Sequence, residues 1–382
     1  MGKHFEDFNA GDVFVTRGRS MTEADILQYA ALSWDCNPEH TDMEFAKQSP
    51  FQERIAQQQL GVLIAHGLVA SSRLLEGTQV STLRLGWNLL NPMRIGDTLH
   101  VKQTVTEKRD VPLEEGGIIT FQIETINQRD ELVNRCQRTM LMARRSPAGT
   151  AAPPRPYLFM ALSELEERIG EPLLTNRVGA PPTASRDKRT APPARSHDAE
   201  PDKSEPKKTE ENQPRGKYFE EVELGEELVT QARTVTEADV FHYTSLSWDT
   251  DPLHTDAEYG RATPYGGIIA PLLLPPIFAN GLGAVLGYLA GTNRGALGDW
   301  WEFVRPVRIG DTLHFRQVIT ATQEAQDPET GIVTYGMEMI NQRREVISQG
   351  QRSALVARRP QSQEESKPWK FVFGTAQDLA KE

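Results

Sequence analysis

Two short turns carry an acid and an imidazole at a spacing that suits proton chemistry. The first reads Asp35-Cys36-Asn37-Pro38-Glu39-His40-Thr41-Asp42 and the second Asp249-Thr250-Asp251-Pro252-Leu253-His254-Thr255-Asp256. On a helix, residues this far apart diverge by more than a quarter turn; across a proline turn they can converge on one point. A carboxylate beside an imidazole forms a general acid–base pair able to hold a water between them, and imidazole titrates near neutrality. The plainer alternative is a helix-ending Asp and a solvated His in a polar loop. Between the two turns Cys36/Thr250 and Glu39/Leu253 differ while Asp, Pro and His do not, which favours chemistry.

The turn recurs because the chain is duplicated. Thr22-Glu23-Ala24-Asp25 returns as Thr236-Glu237-Ala238-Asp239, Arg94 to His100 as Arg308 to His314, and Ile126 to Arg129 as Ile340 to Arg343. Each pair is separated by the same 214 positions. A shared register of that length outweighs any single motif. Two such copies in one chain imitate the isologous contact of a homodimer. The expected organisation is a first domain over 1–146, a linker over 147–214, a second domain over 215–360 and a tail over 361–382.

Within each copy, a short strand (12–17; 227–232) precedes a helix begun by Thr22 or Thr236, with Asp25 or Asp239 in capping-box spacing. Pro38 and Pro252 should stop that helix near Asp35 and Asp249. A long apolar helix follows, over 55–76 and 269–290, then three or four strands in which Leu99, Val101 and Leu313, Phe315 alternate with polar neighbours. One long helix followed by an antiparallel sheet predicts an α+β fold with the sheet wrapped around the helix. Pro275 and Pro276 are expected to break the second long helix.

Net charge is −11, which argues against nucleic-acid or anionic-membrane partners. Cys36 and Cys136 have no counterparts in the other copy, so neither a disulfide framework nor a metal cluster is expected, and no histidine spacing suits a metal. With no apolar segment at the N-terminus, the expected location is the cytoplasm. Ile268 to Gly291 is long and uncharged, yet its prolines and Asn280 read as a buried core helix rather than a membrane span. The linker should hold a short helix over 157–169 and be disordered from Pro181, where apolar residues nearly vanish.

The segment Tyr29 to Ala46 resembles the signature of the MaoC-like (R)-specific enoyl-CoA hydratases, the hydratase 2 group. Ser33, Asp35, Asn37, Pro38, His40 and Ala46 fit it, as do Tyr243, Ser247, Asp249, Pro252, Leu253 and His254 in the second copy. Pro50-Phe51, Pro264-Tyr265-Gly266-Gly267 and the repeated Ile-Gly-Asp-Thr-Leu are similar to that family too. The resemblance implies a double hot-dog fold and an acyl-CoA partner. The implied reaction hydrates a trans-2-enoyl-CoA or dehydrates a 3-hydroxyacyl-CoA, with no cofactor beyond the thioester substrate. It implies that Asp35/His40 and Asp249/His254 activate water, that Asn37 orients the pair, and that a backbone N–H at Gln58 or Leu272 polarises the thioester carbonyl. Gly266 and Gly267 join Gln58 and Leu272 as expected substrate-binding residues. Arg94 and Arg308 are assigned to CoA phosphates by location, as are Arg84, Arg144, Arg305 and Arg358. Two such chains could pair as a homodimer.

The chain departs from the family at several of these positions. Trp34 and Trp248 replace the usual Gly before the Asp and are expected to line and reshape the pocket. The His-Gly of the family's helix start is absent, with Gln57-Gln58 and Pro271-Leu272 in its place. The later His66-Gly67 lies too far along and reads as a core or interface pair. Asp251 stands for Asn37 and should perturb its neighbours, so the first copy is expected to do more of the chemistry. Other hot-dog enzymes such as thioesterases, whose families lack the turn, are a second reading; a non-catalytic acyl-CoA-binding or partner subunit is a third. Replacing residues 181–213 by a Gly/Ser linker should leave the thermal unfolding midpoint unchanged, measured by circular dichroism; a substantial drop would refute a linker that buries nothing.

Overall fold

Thr22 starts the first helix as its spacing to Asp25 predicts: the Asp25 carboxylate accepts the Thr22 N–H at 2.7 Å, and Thr236 and Asp239 repeat the bond at 2.8 Å. The computed structural model describes residues 2–114, 116–145, 159–173 and 216–360. In the first copy, β1 (Val13–Val15) and β2 (Arg19–Ser20) precede α1 (Glu23–Ser33). Two short helices, α2 (Pro38–Thr41) and α3 (Met43–Gln48), lead to the central helix α4 (Gln58–Ser71). Four strands follow: β3 (Gln79–Leu89), β4 (Thr98–Arg109), β5 (Gly116–Ile126) and β6 (Leu132–Ala143). The connection contributes α5 (Leu162–Ile169). The second copy repeats the order with β7 (Glu227–Val229), β8 (Arg233–Thr234), α6 (Glu237–Ser247), α7 (Pro252–Thr255), α8 (Ala257–Ala262) and α9 (Leu274–Leu286). Its strands are β9 (Asn293–Phe303), β10 (Thr312–Glu324), β11 (Thr330–Ile340) and β12 (Val346–Ala357).

The central helices are shorter than their apolar runs. Ile55 and Ile269 are extended and bridge to Arg94 and Arg308, so each helix begins beyond them. Pro275 and Pro276 do not break α9. They stand in its first turn, where the backbone N–H groups have no helical partner to lose. The expected disorder from Pro181 and the tail at 361–382 lie outside the described residues. Among the described residues, no helix is long and apolar enough to cross a membrane.

Each sheet wraps its own central helix, α4 against β4 to β6 and α9 against β10 and β11. The sheets then merge into one, in the order β1-β4-β5-β6-β3-β9-β12-β11-β10-β7. At the join, β3 pairs antiparallel with β9 and Gly86 faces Trp300, its own counterpart in the other copy. A residue that meets its own equivalent marks a two-fold axis, so the duplicated chain reproduces an isologous dimer contact.

The helices exchange partners across that axis: α1 packs on α9 and α6 on α4. The approach is at backbone range. A Cβ on Gly67 would lie 1.7 Å from the Ser247 carbonyl oxygen, and one on Gly281 would lie 1.6 Å from that of Ser33. Gly67→Ala and Gly281→Ala should therefore each cost about 1–3 kcal/mol or more in urea unfolding. Gly267→Ala, with nothing within 4 Å of the added carbon, should stay near neutral. Equal effects at all three would mean that the close crossing is not what these glycines serve.

Candidate active site

The turns are held from across the axis. Trp34 and Trp248 end α1 and α6 in the left-handed conformation, at φ 72° and 68°. A non-glycine residue there costs about 1–2 kcal/mol. The Arg233 guanidinium stacks on Trp34 at 4.2 Å, and Arg19 stacks on Trp248 at 4.4 Å. Stacking of partly desolvated guanidinium groups offsets a strain of that size. The same arginines donate to the carbonyls of Leu32 and Leu246. The two indoles thus tie the copies together; they are not among the residues lining the cavity described below, contrary to the expectation from sequence.

Beyond the tryptophans, each turn aims a histidine. Asn37 caps α2 by accepting the Glu39 N–H at 3.5 Å, and Asp251 caps α7 by accepting that of Leu253 at 2.9 Å. Asp251 is exposed and, like His254, is among the residues lining the cavity described below. His40 Nδ1 lies 2.9 Å from the Ile55 carbonyl and His254 Nδ1 2.8 Å from that of Ile269. A carbonyl only accepts, so Nδ1 carries the hydrogen and Nε2 of the neutral ring is left as a base.

Each acid is met by the other copy's central helix. His66 Nε2 stands 3.4 Å from Asp249 Oδ2, and Asn280 donates to Asp35 Oδ2 at 2.9 Å. His66 and Asn280 are themselves 214 positions apart. His66, expected as a core or interface residue, does lie where the two copies meet, but it stands against the acid of the candidate site. The signal in the sequence was a polar residue at the same register position within the apolar stretch of both central helices. Burial pushes the Asp249 carboxyl upward; the His66 hydrogen bond, the nearby His254 and the Asp251 N–H outweigh it and hold the pKa at about 2. Burial keeps His66 below its ordinary value despite Asp249. At neutral pH this places a carboxylate against a neutral imidazole.

The two sites are not alike. A cavity of about 350 Å³ opens beside the second turn, lined by Asp249, His254, His66 and Leu272, by the end of α4 and the residues after it, and by Phe159 of the connection. Arg17, Arg73 and Arg138 also line it. Their counterparts are Gln231, Gly287 and Arg352, and Arg352 is held bidentate by Asp299 at 2.9 and 2.6 Å. At the first turn Glu39 replaces Leu253. It is 2% exposed, and its Oε1 has no hydrogen-bond partner. Burial first, then the charge of Asp35, raises its pKa to about 8.

The remaining expectations divide. Leu272 lines the cavity two residues before α9, whereas Gln58 opens α4 and is not among the lining residues. Gly266, Gly267, Arg94 and Arg308 are not among them either. Arg94 is paired with Glu53, and Arg308 donates to the Tyr265 carbonyl. The cations at the cavity come instead from the first copy. Buried Gln57, unassigned from sequence, reaches the carbonyls of Ile26 and Asp35 at 3.3 and 3.4 Å. Among the described residues, no group of three or more His, Cys, Asp or Glu is placed to hold a metal.

Glu39 makes the first site a titrating element. Its folded pKa lies above the ordinary 4.5, so the folded state binds more protons than the unfolded one between about 4.5 and about 8. Stability should fall as pH rises through that window, by up to about 1.4 kcal/mol per unit. Glu39→Gln should flatten this slope in urea unfolding measured from pH 5 to 8; an unchanged slope would place the titration elsewhere.

The MaoC-like domain matches the chain twice, over residues 7–125 and 220–339. A curated (R)-specific enoyl-CoA hydratase of Rhodospirillum rubrum is 34% identical over 119 residues, 31% of this chain and 77% of that protein. Protein MaoC of Klebsiella aerogenes is 32% identical over 109 residues, 28% of this chain and 31% of its own length. Among solved structures, a MaoC domain protein of Chloroflexus aurantiacus superposes with TM-score 0.71 at 18% identity, covering 94% of this chain and 98% of that one. A Mycobacterium tuberculosis protein with a double hotdog fold gives 0.64 at 18% identity, covering 93% and 98%. The chain belongs to the MaoC-like domain family and carries two such domains in a double hot-dog fold.

Proposed function

We propose that the protein is a hydro-lyase of acyl-CoA thioesters, working at the second turn. The observation that carries this reading is the cavity of about 350 Å³ in which Asp249, His254 and His66 converge. A water held between the Asp249 carboxylate and the free Nε2 of His254 gives up a proton to the pair as its oxygen attacks the β-carbon of a trans-2-enoyl thioester. The pair returns that proton to the α-carbon and ends as it began; dehydration of a 3-hydroxyacyl thioester is the reverse. His66 is a positioning residue, set against the carboxylate oxygen so that Asp249 stays ionised and fixed. Arg17 and Arg73 supply positive charge suited to the phosphates of CoA.

This reverses the asymmetry expected from the sequence. The first copy keeps Asn37, but Asn37 and Asp251 both serve as helix caps, so that difference does not separate the sites. Glu39 does, because it puts a protonated, buried carboxyl beside Asp35 where the second copy has an apolar wall. The relative named as an (R)-specific enoyl-CoA hydratase supports the reaction class.

The test follows loss of enoyl absorbance with trans-2-butenoyl-CoA. General acid–base groups contribute about 10²–10⁴-fold. Asp249→Asn should lower kcat by that range, and Asp35→Asn by less than about 10-fold, with both variants folded. Equal losses would remove the asymmetry. No activity in the unmodified chain, despite tight binding of the thioester, would favour a binding subunit instead.

A further inference from the structure

We propose that Phe159 is a substrate-selecting residue of the second site, so that the connection between the two domains sets the size of the aliphatic acyl group admitted there. Phe159 lines the cavity that holds Asp249 and His254. It packs against Leu253, Tyr265 and Ile269, and its ring meets Tyr265 edge-on at 6.1 Å. Ile269 is also the residue whose carbonyl orients His254. The wall that Phe159 completes therefore stands next to the base, and its apolar lining suits hydrocarbon rather than charge.

This placement is built. Behind Phe159, the connection is anchored by Met160, Leu162, Leu165 and Leu173, all buried. They cover Val80, Leu83, Ile118 and Leu141. Ile118 and Leu141 alternate with Ile119, Met140 and Met142 of the main core, so α5 covers the sheet face opposite the central helix. Arg109 then fastens the end of the segment, pairing with Glu171 at 2.6 Å and donating to the Pro172 carbonyl at 3.1 Å. The duplication runs through this stretch too: Phe159 recurs as Phe373 and Leu165 as Leu379, at the same 214-residue offset. Phe159 is thus part of the repeated unit rather than of a spacer.

The inference rests on the proposed use of this cavity for acyl-CoA thioesters, so its test reads binding as well as turnover. In the full chain, kcat/KM is compared for trans-2-butenoyl-CoA and trans-2-decenoyl-CoA, and Kd by calorimetry for butyryl-CoA and decanoyl-CoA. Phe159→Ala should shift both long-to-short ratios by about 10-fold or more toward the long chain, with Phe159→Leu between, since even one methylene in an apolar pocket is worth about that much. Leu165→Asp, which keeps the Phe159 side chain but loosens the α5 anchor that holds it against the wall, should shift the ratios the same way. Ratios for Phe159→Ala within about two-fold of the unmodified chain in both measurements would overturn the assignment while the reaction stands. If the chain hydrates neither enoyl thioester, the reaction falls and the two Kd ratios alone judge Phe159. If it binds neither acyl-CoA, both fall.

Discussion

The contact between each central helix and the opposite copy's turn governs the rest of the structure. With no room for a Cβ at Gly67 or Gly281, the helix backbone of one copy presses on the last carbonyl of the other copy's first helix. That proximity brings the next side chain in line, His66 or Asn280, to the buried acid at Asp249 or Asp35. It also explains why each candidate site is composite. The turn supplies the acid and the histidine, and the neighbouring copy supplies the group that faces the acid, so neither site is complete within one copy.

Fusing the two copies removes a constraint that a homodimer cannot escape. Two identical chains must build two identical sites. In a single chain, each position has a partner 214 residues away that is free to differ. Several of the differences fall around the turns. Leu253 faces the second cavity while Glu39 is buried at the first, and His66 stands where the other site has Asn280. Arg17 and Arg73 stand opposite Gln231 and Gly287. The ties that hold the turns have not diverged in the same way. The Arg19–Asp25 and Arg233–Asp239 pairs, and the stacks on Trp248 and Trp34, are repeated almost unchanged. A tandem hot-dog can therefore carry two unlike turns on one repeated frame.

Much of this was legible in the letters. The 214-residue register, the capping boxes at Thr22 and Thr236, the strand alternation and the Asp–His turns follow from local rules: helix starts need their N–H groups satisfied, strands alternate, and proline ends helices. Those rules act over a few residues, so they can be read along the chain. They also placed the acids just past the end of the first helix, where the structure has them, while the histidines, read as part of a polar turn, stand in the short helices α2 and α7.

What tertiary structure alone decided is which residues from distant parts of the chain share a space. Trp34 and Trp248 read as pocket residues because they adjoin the acids, yet each indole turns to an arginine of the other copy. Arg94 and Arg308 read as phosphate-binding cations, while Arg17 and Arg73 reach the cavity instead. His66 sits far from Asp249 in sequence and 3.4 Å from it in space. Pro275 and Pro276 read as a break, but where a helix starts depends on the bridge between Ile269 and Arg308, a pairing across the fold. Sequence determined the elements, their duplication and the chemistry each turn could offer. That the second turn faces a cavity lined from both copies was settled by packing across the two-fold axis, because burial and long-range contact are properties of the assembled surfaces and not of any segment alone.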